Sequence, residues 1–106
     1  MLEVYVGMLE RRLERYFAER IKSLGGECIK LTSIVGLPDR LVLLPGGRTF
    51  FVEFKAPKGK TRAVQGFIHR RLKSLGFSVY VIYNKDYIEE VCRLWSLNHM
   101  PISREL

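Results

Sequence analysis

The sequence is short of the residues that brace small proteins covalently. Its 106 residues include two cysteines, Cys28 and Cys92, with no CxxC spacing. That count argues against a disulfide framework or a thiolate zinc site, and predicts two free core or near-core thiols in a reducing compartment. Two histidines, His69 and His99, are too few and too far apart to suggest an imidazole metal site. No apolar run approaches the roughly 20 residues of a membrane helix. The opening MLEVYVGMLE lacks the basic stretch and apolar block of a signal peptide. Internal repeats, low-complexity blocks and linkers rich in Pro, Gly or Ser are also missing. These absences predict one cytoplasmic domain over 1–106, with no membrane association and no organic cofactor.

What is abundant is positive charge. Eighteen Lys and Arg against 11 Asp and Glu give a net charge of +7. A polyanionic partner suits that balance, because Lys and Arg release counterions from phosphates. A solvated basic surface would give the same composition. With 47% apolar residues the chain can still build a globular core.

Leu9, Leu13, Phe17, Ile21 and Leu24 predict a helix over 8–24, stopped by Gly25-Gly26. A short strand over 27–32 follows, then strands over 39–44 and 48–55 around the hairpin turn Pro45-Gly46-Gly47. Thr61 can cap a second helix reaching about Leu75, with Val64, Ile68, Leu72 and Leu75 inward. The run FSVYVIY over 77–83 has the composition of a strand covered on both faces. Asp86 and Glu89 resemble a capping box opening a third helix, striped by Ile88, Val91, Cys92 and Trp95. The fold class is therefore α/β, a mixed sheet flanked by helices, with a core over about 9–95 and a C-terminal tail over 96–106.

Chemistry concentrates in GLPDRLVLLPGGRTFFVEFKAP. Side chains alternate along a strand, so Glu53 and Lys55 share one face while Phe50, Val52 and Phe54 take the other. A three-residue loop pairs Leu44 with Arg48 and sets Asp39 opposite Glu53. A loop one residue longer would put Asp39 against Phe54 and mix charge into the apolar face. Two facing carboxylates about 5 Å apart at Cβ repel. A divalent cation relieves this, and oxygen-only ligation by Asp39 and Glu53 points to Mg²⁺, with Mn²⁺ able to substitute. Lys55, one pleat along, would orient a water or neutralise charge on a phosphate. An ordinary surface salt bridge between Glu53 and a basic neighbour is the plainer alternative.

Pro38-Asp39 followed by Glu53-Phe54-Lys55 resembles the PD-(D/E)xK nuclease signature, a pattern with many chance matches. The wider stretch is more specific: PDR, the PGGR turn, EFKAP and then Gln65 together resemble the VRR-NUC family, the virus-type replication-repair nucleases. The likeness spans roughly residues 9–90. It implies a restriction-endonuclease-like αβββαβ core and a metal-dependent endonuclease. Small phage and bacterial members of the family act on branched DNA such as Holliday junctions. The resemblance further implies Asp39 and Glu53 as metal ligands, Lys55 as the catalytic lysine and Gln65 over the same site. A glutamate of the first helix completes the set. Glu14 is the expected one, by its distance from Gly25-Gly26 as the resemblance implies, with Glu10, deeper in the apolar stripe, in reserve.

Lys58, Lys60, Arg62 and Arg70 accompany the loop and helix after Lys55 and are the expected phosphate contacts. Aromatic residues do not interleave with these charges in the way a single-strand stacking groove would need, so recognition would run through backbone charge and DNA shape. A C2 homodimer is expected of an enzyme making two symmetric incisions, with Tyr5, Tyr16, Trp95, Leu97, Met100 and Ile102 as interface material. A catalytically silent basic binding module and a duplex-cutting restriction-type nuclease are the competing readings.

Overall fold

Two turns and two alternating strands organise the molecule, a computed structural model that describes residues 2–32, 34–55 and 63–98, with side chains from residue 7 onward. The elements are α1 (Leu2–Ser23), β1 (Glu27–Lys30), β2 (Arg40–Leu44), β3 (Arg48–Phe54), α2 (Ala63–Ser74), β4 (Ser78–Ile82) and α3 (Lys85–Ser96). The strands form one sheet in the order β1-β2-β3-β4, antiparallel except that β4 runs parallel to β3. This is the expected α/β class and element order.

The hairpin has the expected register, with Leu44 paired to Arg48 and Arg40 to Val52. Gly46 and Gly47 adopt φ of 86° and 77°, which side-chain-bearing residues rarely adopt, so the sequence can turn here within three residues. α1 ends in a Schellman motif: Gly26 N–H donates to the Ile21 carbonyl and Gly25 N–H to that of Lys22. A Cβ on Gly26 would sit 2.5 Å from the Leu43 carbonyl oxygen, so this close helix-to-strand approach requires glycine. α1 begins earlier than the apolar spacing predicts, because Gly7 is the one glycine on that side and a lone glycine costs a helix only about 1 kcal/mol.

One face of the sheet carries the core. Val42, Leu44, Phe50, Val52, Phe54, Tyr80 and Ile82 meet Phe17 and Ile21 of α1 and Ile88, Val91, Cys92 and Trp95 of α3. Each such side chain stabilises the fold by about 1.5–3 kcal/mol on burial. Trp95 centres this layer, stacked on Phe50 at 4.7 Å and edge-on to Phe17 and Tyr80. Trp95 is therefore core and not interface material, and Tyr16 is engaged by Glu89 and Arg20. Leu97 is exposed, while the side chain of Tyr5 and residues Met100 and Ile102 lie outside what the structure describes.

Two local expectations are corrected. The α3 N-cap is Asn84, whose side chain accepts from Tyr87 N–H, so Asp86 and Glu89 do not form a capping box. Glu89 instead bridges to Tyr16 and Arg20 of α1. On α2 the buried residues are Gln65 and His69, while Val64 and Leu75 are 40% and 55% exposed. The reason is the surface that α2 covers: it lies on the face bearing Glu53 and Lys55, where polar partners are needed. Both cysteines are free thiols, and no helix among the described residues is long and apolar enough to cross a membrane.

Candidate active site

Asp39 stands one step beyond the last β2 pair, so the ladder carries it to the position facing Glu53. Backbone bonds fix it there. Its carbonyl accepts from Leu31 N–H at 2.9 Å, and its Oδ2 accepts from Phe54 N–H at 2.9 Å. Lys55 is anchored from the other side by its N–H to the Ile82 carbonyl, 3.0 Å away. Three strands thus hold two acidic side chains and a lysine with little backbone freedom.

α2 closes the site. Lys55 Nζ donates to Gln65 Oε1 at 2.7 Å, and Gln65 Nε2 donates to Glu53 Oε2 at 2.7 Å. Lys55 Nζ also lies 3.4 Å from Glu53 Oε2. All three residues are buried, at 3% exposure for Glu53, 7% for Lys55 and 8% for Gln65. Glu53 Oε1 is buried with no hydrogen-bond partner among the described residues. Burial first, and the charge of Asp39 second, push the Glu53 pKa up to about 7, against the pull of Lys55 and Gln65. Burial likewise raises Asp39, opposed by the Phe54 amide.

A cation fits this arrangement. Two carboxylates strain against each other, one buried oxygen is unpaired, and the donors are oxygens, as Mg²⁺ and Mn²⁺ prefer. Among the described residues no three His, Cys, Asp or Glu gather into a metal site, so the protein would offer two carboxylates and leave other positions to water or substrate oxygens.

Glu14 is 9% exposed and is held by Arg40 Nε at 2.6 Å and Lys30 Nζ at 3.3 Å. Lys30 and Arg40 are cross-strand partners, and their repulsion explains why a carboxylate is drawn between them. Both Glu14 and Glu10 act electrostatically on Asp39, Glu14 more strongly, so α1 brings both within range of the cluster. Arg70 is exposed on α2, whereas Lys58, Lys60 and Arg62 lie outside the described residues, as does Thr61. Sequence reasoning missed Arg40, the partner of Glu14. Its position beside Asp39 was the available signal, since strand alternation turns neighbours to opposite faces. It also missed His69, one helical turn after Gln65.

No family model matches the chain. It is 39% identical over 79 residues to "Putative nuclease p44" of Acyrthosiphon pisum secondary endosymbiont phage 1, covering 73% of this chain and 85% of the phage protein. A solved structure described as a VRR_NUC domain superposes with a TM-score of 0.75 at 33% identity, covering 80% of this chain and 95% of that one. With the hairpin, the facing carboxylates and these two likenesses in hand, the chain belongs to the VRR-NUC family of nuclease domains.

Proposed function

We propose that this protein is a Mg²⁺-dependent endodeoxyribonuclease that hydrolyses phosphodiesters in branched double-stranded DNA, four-way Holliday junctions above all. The observation that carries the reading is the buried group in which Asp39 faces Glu53 while Gln65 holds both Glu53 and Lys55. A divalent cation held by Asp39 and Glu53 would supply a lowered water pKa and Lewis-acid polarisation of the phosphate, a part Mn²⁺ can also play. Gln65 fixes Lys55 relative to Glu53: its amide oxygen accepts from Lys55 and its amide N–H donates to Glu53 Oε2, so that Oε1 would be left to help hold a cation. Lys55 orients the attacking water and offsets charge building on the phosphate. Glu14 or Glu10 adds negative charge from α1. The net charge of +7, with Lys58, Lys60, Arg62 and Arg70 near the site in sequence, supports attraction to the DNA backbone.

One chain carries one such cluster and cuts one strand at a time. Two symmetric incisions call for two equivalent sites, which a C2 homodimer provides. Exposed apolar side chains at Ile34, Val35, Phe67 and Leu75 offer material for that contact. The setting is the cytoplasm of a bacterium or of a phage-infected host cell. Labelled linear, flap and four-way DNA incubated with Mg²⁺ or EDTA, alongside light scattering, tests the reading. Mg²⁺-dependent products mainly from four-way DNA and about twice the chain mass are expected. Equal cutting of linear DNA by a monomer would remove the resolvase assignment.

A further inference from the structure

His69 is the second buried residue of α2, 2% exposed and one turn beyond Gln65 on the same helical face. Neither Nδ1 nor Nε2 has a hydrogen-bond partner among the described residues. A buried polar group without a partner costs about 1–3 kcal/mol, and an aliphatic side chain would fill this space without that penalty. Packing alone therefore does not account for the imidazole. Burial, then the charges of Lys73 and Lys55, push its pKa down to about 4, so the ring is neutral at ordinary pH and has one N–H and one lone pair to offer. Lys55 has three N–H groups, of which Gln65 and Glu53 engage two.

We infer that His69 is a positioning residue for Lys55, its imidazole lone pair accepting, through one bridging water, the ammonium proton that Gln65 and Glu53 do not take. The inference rests on the hydrolase reading of this site. Neutral acceptors suit the task, because Lys55 keeps its place when the charge of Glu53 is committed to a cation. Gln65 and His69, stacked along one helical face, would then hold Lys55 from the side that the sheet leaves open.

The test uses His69→Leu and His69→Gln in the full chain. Turnover and KM are measured on four-way DNA, the melting temperature is followed, and the Lys55 ammonium resonance is recorded by ¹⁵N NMR without metal. His69→Leu is expected to lower kcat by about 10- to 100-fold with KM unchanged. Its melting temperature should stay close to that of the wild type, since leucine fills the same buried space and offsets the lost hydrogen bond, and the Lys55 resonance should be lost to exchange. His69→Gln, which can still accept a hydrogen bond, should retain most of kcat and the resonance. An unchanged kcat or an unchanged Lys55 resonance in His69→Leu would overturn the inference. So would losses of kcat that follow losses of melting temperature in both variants. A wild-type chain that cuts no DNA would end the hydrolase reading instead, and the resonance would still decide the contact.

Discussion

Glu53 is 3% exposed and faces Asp39, and those two conditions, burial first, raise its pKa from 4.5 to about 7. A carboxyl whose native pKa is raised binds its proton more tightly folded than unfolded. Its contribution to stability is therefore full below pH 4.5 and is lost as pH rises through about 7. Metal-free protein should lose stability across that window, and Glu53→Gln should lack this component and melt higher than wild type above pH 7. Thermal melts across pH check this, and parallel curves for the two proteins would contradict it. Glu14 has a different burden, sitting between Arg40 and Lys30. Glu14→Ala should destabilise the fold by about 1–3 kcal/mol, by stranding the largely buried Arg40 guanidinium, and should impair cleavage more than Glu10→Ala. The reverse order of cleavage would assign the α1 role to Glu10.

At the scale of elements, local chemistry explains both what was legible in the sequence and what was not. Pro45-Gly46-Gly47 admits one short turn, and the alternation of Glu53 and Lys55 with Phe50, Val52 and Phe54 admits one register, so Asp39 opposite Glu53 could be read directly. The inward face of α2 could not, because apolar periodicity assumes an apolar surface beneath the helix. Here the sheet presents Glu53 and Lys55, and Gln65 and His69 turn inward to meet it. The Glu14–Arg40 pair escaped notice for a similar reason: a salt bridge between distant elements leaves no periodic trace. The junction of α1 with the sheet makes its own prediction. Gly26→Ala would bring a methyl group to 2.5 Å from the Leu43 carbonyl oxygen and should destabilise the protein by about 1–3 kcal/mol in chemical denaturation. Wild-type stability would mean that α1 approaches β2 less closely.

Over the whole molecule, the charge of +7 was evident from composition, but its distribution toward DNA was not. Arg70 is exposed, as a phosphate contact must be. Affinity for DNA should fall steeply with salt, and the log–log slope should drop by roughly 0.9 for each phosphate contact removed. Replacing Lys58 and Lys60 together by alanine measures this, and an unchanged slope would take their loop off the DNA surface. Trp95 is no subunit contact: it reads as surplus to the sheet in the sequence, whereas it centres the core. Cleavage of a labelled four-way junction in Mg²⁺ and in EDTA, by wild type, Asp39→Ala, Glu53→Ala and Lys55→Ala, bears most directly on the hydrolytic site. Wild type should give products in Mg²⁺ and none in EDTA, and each variant should lose about 100-fold or more in rate while still binding the junction. Near wild-type cutting by any of the three variants, or undiminished cutting in EDTA, would contradict a cation held between Asp39 and Glu53 beside Lys55.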